Sequence, residues 1–174
     1  KRKKSRSLLL VLPRGRKPDR ARVRHDVLDA LPHPSHADRA ARDHSLRDND
    51  DAASAVPPSA YRSVSLLDLD GNGFLDGPYS SSSATKRRVF SANQTFVFDR
   101  SSNGFSETMG YYYLDYAQRY IQSLGFSTVN NRQQVFSIDR YKKDNSFYQS
   151  STKNITLGTG GVDDAEDADV IWHE

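Results

Sequence analysis

The sequence predicts an α+β fold confined to the last two-thirds of the chain and preceded by a disordered tail. All of the aromatic residues, nine Tyr, eight Phe and one Trp, lie at or after Tyr61. Because aromatic side chains supply much of the buried area of a core, we expect the folded domain over residues 61–174. Within it, short alternating apolar stretches flank one long helical stripe, and a second helix is expected at the end. Strands and helices that follow one another in this way are typical of an α+β domain.

Residues 1–60 form a basic segment with 14 Lys and Arg against 8 Asp and Glu and no aromatic residue. Such a segment cannot bury enough apolar area to offset its ordering entropy, so we predict that it is disordered. The apolar run Leu8–Leu12 is too short for the core of a cleavable signal, and Pro13 follows at once. The composition of residues 14–60, rich in Arg, Ala, Asp, His and Pro, suggests the further hypothesis of a mistranslated segment. Nucleic-acid binding through the basic arm Lys1–Arg24 is an alternative function, although it is not favoured.

Five strands are predicted from the alternation of apolar and polar residues. The first is followed by Gly71–Gly73, which should turn the chain into a hairpin before Phe74 and Leu75 resume it. The predicted strands are Tyr61–Leu69, Val89–Phe98, Gln134–Ile138, Asn145–Tyr148 and Asn154–Leu157.

The principal helix is predicted over Glu107–Leu124, with Ser106 as its N-cap and Gly125 as its terminator. Asp115 and Arg119 should pair across one turn on its outer face. Gln118 should also face outward. The predicted buried stripe comprises Met109, Tyr113, Tyr116, Tyr120 and Leu124.

The second helix should run from a cap at Asp163 to the end of the chain, after the glycines at 158, 160 and 161 end the last strand. Glu166 would then lie in its first turn, where a carboxylate stabilises the helix dipole.

One loop has the spacing of a calcium site. Asp68, Asp70, Asn72 and Asp76 alternate around Gly73, as oxygen ligands do at the start of a calcium-binding loop. The expected bidentate Glu is replaced by Tyr79, and a plain hairpin explains the same residues. A calcium-binding or structural module is therefore an alternative function.

Composition excludes several other classes. The chain has no cysteine, which excludes disulfides and thiol catalysis. It has no run of about 18 apolar residues, so no membrane-spanning helix is expected.

The last dipeptide, His173-Glu174, matches the opening of a His-Glu-x-x-His zinc helix. The run Gly160–Glu174 resembles the approach to the active-site helix of the gluzincins, the thermolysin-like and fungalysin-like zinc metallopeptidases. Tyr111–Phe126 resembles the helix that precedes that site. Asn145–Tyr148 resembles the edge strand that pairs with peptide substrates in the same family.

The resemblance implies that residues 61–174 are the N-terminal, sheet-plus-helix part of a gluzincin catalytic domain. It implies a secreted endopeptidase with zinc as cofactor and a peptide or protein as substrate. His173 would be the first zinc ligand, Glu174 the general base, and Asn145, Ser146 and Phe147 the substrate-binding edge. Because the chain stops before the second His of the motif, we expect this fragment to be inactive by itself.

Overall fold

The computed structural model describes residues 6–11, 53 and 58–174. Most of the segment predicted to be disordered therefore lies outside the described residues. The described part is a mixed α+β structure with two sheets and two α-helices, and 3-10 turns at Pro58–Ala60 and Asp164–Glu166. In chain order the strands and helices are β1 (Arg6–Val11), β2 (Tyr61–Leu66), β3 (Ser80–Ser81), β4 (Phe96–Val97), α1 (Asn103–Ser123), β5 (Gln134–Tyr141), β6 (Phe147–Gln149), β7 (Asn154–Gly158) and α2 (Ala168–His173).

The smaller sheet has the strand order β2-β1-β4. Its central strand β1 pairs antiparallel with β2 and parallel with β4. This strand belongs to the segment for which the sequence predicts disorder. Because β1 has a paired strand on each side, its backbone N–H and C=O groups find hydrogen-bond partners.

The larger sheet has four strands in the order β3-β5-β7-β6. The pairs β3–β5 and β5–β7 are parallel, whereas β6 runs antiparallel to β7. The strand β6 is therefore one of the two edge strands of the described sheet, and β3 is the other. The strands β5, β6 and β7 match three predicted strands to within a few residues.

Two predicted strand regions are shorter than expected. Only Phe96–Val97 of the predicted strand Val89–Phe98 pairs in a sheet, and Gly71 and Gly73 turn the chain with φ values of 84° and 88°. The hairpin prediction is wrong, since an isolated bridge between Asp76 and Ser81 replaces a second strand.

Helix α1 begins four residues earlier than predicted. Ser102 is its N-cap and accepts a hydrogen bond from Gly104 N at 3.2 Å. Ser106, the predicted cap, is buried inside the helix and donates to Asp163 Oδ2 at 3.2 Å. A Cβ on Gly110 would lie 2.6 Å from Phe136 Cε2, so this glycine lets α1 pack closely on β5.

The predicted buried stripe of α1 is correct only in its first half. Met109 and Tyr113 are buried, but Tyr120 and Leu124 are exposed to 38% and 55%. The prediction that Gln118 faces outward is wrong, because this residue is only 4% exposed. The C-terminal half of α1 packs on the following loop, where Gln118 Nε2 donates to Val129 O at 2.9 Å.

The pairing of Asp115 with Arg119 is found, with Arg119 Nε 2.6 Å from Asp115 Oδ2. Its predicted place on the outer face is wrong, since Asp115 is buried. Burial raises the pKa of Asp115, and the hydrogen bond from Arg119 opposes this rise.

Substitution of Gln118 provides a test of this corrected helix face. We expect Gln118→Asp to lower the free energy of unfolding by about 1–3 kcal/mol, because it puts an ionisable carboxyl where an amide bonds to the backbone. The half-buried Gln122 is the comparison, and Gln122→Asp should cost about 1 kcal/mol or less, because its hydrogen bonds with Tyr79 and Asn131 are close to solvent. Urea denaturation of both variants measures the difference. Equal losses of unfolding free energy would contradict the assignment of Gln118 to the buried face of α1.

The predicted C-terminal helix is divided in two. A 3-10 turn at Asp164–Glu166 comes first, and α2 follows with Asp167 as its N-cap, accepting from Asp169 N at 2.8 Å. Asp163 makes no cap hydrogen bond, because it accepts from Ser106 instead. Glu166 lies in the 3-10 turn and forms an ion pair with Arg100.

Candidate functional site

The predicted substrate-binding edge and the segment that leads into α2 are joined by one hydroxyl group. Ser146 Oγ donates to Asp164 Oδ2 at 2.6 Å and accepts from Gly158 N at 3.1 Å. Burial raises the pKa of Asp164, while the hydrogen bond from Ser146 lowers it. Ser146 therefore ties the start of the edge strand to the end of β7 and to the 3-10 turn.

The glycines after β7 bring two backbone segments into direct contact. A Cβ on Gly158 would collide with the carbonyl oxygens of Lys143 and Asn145, and one on Gly160 would collide with Asp144 N. Gly160 N also donates to Lys143 O at 3.3 Å. These glycines thus serve close backbone packing beside the edge strand.

Helix α2 is held on α1 by its apolar residues. Ile171 is buried. The Trp172 ring stacks on Tyr116 with centroids 5.6 Å apart and meets Tyr113 edge-on at 6.0 Å. Trp172 Nε1 donates to Tyr113 O at 3.1 Å. This packing fixes the direction in which the last turn of α2 points.

The predicted zinc ligand His173 and the predicted general base Glu174 are the last two residues of the sequence. The side chain of His173 is exposed and Glu174 is half-buried, with Glu174 N donating to Val170 O at 3.3 Å. Within the described residues no group of three or more His, Cys, Asp or Glu could hold a metal ion. A catalytic zinc takes three protein ligands, so the described residues offer one imidazole and not a complete zinc site.

The three predicted substrate-binding residues lie at the edge of the larger sheet. Asn145 is exposed, and Phe147 is half-buried with its ring 5.3 Å from that of Tyr141. The side chain of Ser146 is committed to Asp164 and Gly158. Contact of these residues with a peptide stays a prediction.

The predicted calcium ligands have other partners in the structure. Asp68 Oδ2 lies 3.1 Å from Arg119 Nη2, and Asp76 Oδ1 lies 2.5 Å from Arg88 Nη2. Asn72 Nδ2 donates to Asp76 Oδ2 at 2.8 Å, and Asp70 is exposed. Although burial alone would raise the pKa of Asp76, the hydrogen bonds from Arg88, Ser81 and Asn72 lower it. Calcium binding by this loop stays a prediction.

Sequence reasoning missed the most unusual carboxyl group of the structure. Glu107 is fully buried, and burial raises its pKa to about 7 despite opposing contributions from the Ser82 hydroxyl, the Val89 N–H and Arg88. The sequence placed this residue in the first turn of a helix, where a carboxylate is common. Since α1 starts at Asn103, Glu107 lies on the inner face instead.

No helix in the described part of the chain has the length and apolar character that a membrane crossing requires. Comparisons of the chain with protein-family models, with curated proteins and with solved structures found no match.

Proposed function

We propose that residues 61–174 are the N-terminal part of the catalytic domain of a secreted gluzincin zinc endopeptidase, and that the fragment is inactive by itself. The observation that carries this proposal is the position of Ser146. Its hydroxyl joins the edge strand expected to bind substrate to Asp164, which lies just before the helix ending in His173 and Glu174.

A peptide substrate would bind to β6 as an added strand. This strand has β7 on one side only in the described sheet, and a free strand edge is the usual template for an extended peptide. The aromatic ring of Phe147 and the exposed amide of Asn145 would contact the substrate side chains.

His173 and Glu174 would supply the chemistry at the end of α2. His173 would contribute one imidazole ligand, and Glu174 would accept the proton of the attacking water. A bound zinc ion would polarise the peptide carbonyl and lower the pKa of that water. The remaining ligands would come from residues that follow Glu174 in the parent protein.

The test compares the 174-residue chain with a version extended through the downstream reading frame. We expect the extended version to hydrolyse casein in a chelator-sensitive way, whereas the 174-residue chain does not. In the extended version His173→Ala should abolish both zinc binding and turnover, while Glu174→Gln should abolish turnover and keep zinc.

Asp99→Asn is the matched control, because it changes an exposed carboxylate in the loop before α1 and keeps the oxygen that accepts from Ser101 N. It should leave turnover unchanged. A folded extended version without turnover would contradict the peptidase proposal. Chelator-sensitive turnover by the 174-residue chain would contradict the prediction that the fragment is inactive.

A further inference from the structure

The segment Ser82–Val89, here called the strap, crosses the molecule without belonging to a helix or a strand. Side chains of other segments hold it in place. Asp139 accepts from Lys86 N at 2.9 Å and from Arg87 N at 3.0 Å, and Arg140 Nε donates to Ala84 O. Because no sheet ladder supports the strap, its closed position depends on such side-chain contacts, on the ion pair of Arg88 with Asp76 and on the hydrogen bond from Ser82 N to Leu75 O.

A further anchor, Glu107 of α1, differs from Asp139 and Arg140 in being fully buried. Its Oε2 accepts from Val89 N at 2.8 Å, while its Oε1 makes no hydrogen bond of ordinary geometry within the described part of the chain, although the Ser82 hydroxyl of the strap lies near enough to lower the pKa of the carboxyl. The Glu107 carboxyl is therefore fully buried, and its hydrogen bond to Val89 N ties α1 to the end of the strap.

The charged groups that face Glu107 do not balance an ionised carboxylate. Arg88 of the strap attracts it, but the Arg88 guanidinium is bonded to Asp76 Oδ1 at 2.5 Å and to Ser82 Oγ at 3.1 Å. Asp139 of β5 repels it. An ionised Glu107 would thus be buried without a counter-ion of its own, which is strongly unfavourable.

We propose that Glu107 is a proton-controlled latch, which holds the strap closed when it is protonated and favours release of the strap when it is ionised. The Val89 N–H, the Ser82 hydroxyl and Arg88 favour the ionised form of Glu107, but the cost of burying its charge outweighs them in the closed position. A protonated carboxyl still accepts from Val89 N, whereas an ionised one gains hydration when the strap moves away from α1.

The direction of the pH dependence follows from the two environments. In the closed state burial raises the pKa of Glu107 to about 7, whereas a hydrated carboxyl has a value of 4.5. The closed strap is therefore most favoured below the hydrated value. That preference is lost as the pH rises through about 7.

The strap carries its own reporter, since Lys86, Arg87 and Arg88 are trypsin sites. Trypsin needs a locally open chain, and Arg119 inside α1 serves as the reference bond that reports opening of the whole domain. We expect the ratio of strap cleavage to Arg119 cleavage to rise on the order of tenfold between about pH 5.5 and about pH 8. Trypsin activity at each pH is normalised with a small peptide substrate.

Two variants of the full chain separate the latch from a general pH effect. Glu107→Gln keeps an acceptor for Val89 N and cannot ionise, so its cleavage ratio should stay low at both pH values. Asp139→Asn weakens a half-buried anchor, so it should raise strap cleavage at both pH values. The pH dependence should persist but shift to lower pH, because Asp139 no longer repels Glu107.

Retention of the pH dependence in Glu107→Gln would overturn the proposal, as would strap cleavage that merely follows cleavage at Arg119. If Glu107→Gln does not fold, hydrogen exchange of the wild-type chain gives the answer. The Val89 amide should then lose protection over the same pH range while the β5 amides keep theirs. If the Val89 amide and the β5 amides lose protection to the same extent, the latch proposal is wrong.

Discussion

Replacement of Glu166 by Gln should lower the free energy of unfolding by about 3–5 kcal/mol. Arg100 Nε lies 2.6 Å from Glu166 Oε2, and the two side chains are only 6% and 10% exposed. Removing the carboxylate leaves a guanidinium buried without its counter-charge. The effect should be large because the pair joins the segment before α1 to the 3-10 turn before α2.

The control is the exposed pair of Asp68 and Arg119, in which Asp68 is 62% exposed. Asp68→Asn should cost about 1 kcal/mol or less, since exposed ion pairs contribute little. Chemical denaturation of both variants at neutral pH measures the difference. Similar losses for Glu166→Gln and Asp68→Asn would show that the buried ion pair contributes no more to stability than the exposed one.

The second large effect is expected for Gly158→Ala. The new Cβ would lie against the carbonyl oxygens of Lys143 and Asn145, closer than real Cβ atoms come to any neighbour. Both neighbours are backbone atoms, which cannot rotate away, so the edge strand must shift. We expect a loss of about 3 kcal/mol or more.

Gly125→Ala is the matched comparison, because Gly125 has a φ of 93° and no atom within 4 Å of an added Cβ. That substitution should cost only the left-handed strain of about 1–2 kcal/mol. Thermal unfolding of the two variants compares the cost of the backbone collision at Gly158 with the cost of the left-handed strain at Gly125. A larger loss for Gly125→Ala than for Gly158→Ala would contradict the packing that we describe around β6.

The difference between predicted and observed helix faces has one physical origin. Ser106 is followed by Glu107, and this order satisfies the local rule for a helix start. Ser102 satisfies the same rule four residues earlier, and local chemistry does not choose between them. Tertiary packing selects the earlier start, because it places Ser106 and Glu107 in the interior. There Ser106 bonds to Asp163 and Glu107 bonds to the strap.

The predicted outer face of α1 failed for a related reason. A stripe drawn on helical spacing assumes one partner along the whole helix. The N-terminal half of α1 packs on the sheet, where Gly110 meets Phe136, but the C-terminal half packs on the loop that contains Val129. Gln118 is buried by that loop, and no periodicity within the helix reports it.

The candidate site also combines features that the sequence predicts with contacts that it does not. The edge strand and the last strand could be placed from alternation and glycines alone, whereas the start of the final helix was misplaced, because Asp167 and not Asp163 is its cap. The hydrogen bond from Ser146 to Asp164 spans 18 positions of the chain and could not be read from spacing. The other carboxylates of the last segment also acquired partners that the sequence does not indicate, Ser106 for Asp163 and Arg100 for Glu166.

By itself, the sequence determined the class of the fold and the order of most strands and helices. These properties depend on local periodicity, turn residues and the distribution of aromatic side chains, all of which act over a few neighbouring residues. Only the tertiary structure decided which faces are buried, which carboxylates are paired and which one, Glu107, remains buried without a counter-ion. Burial and pairing depend on groups that are distant in the chain, and the electrostatic cost of a charge is set by all of them together.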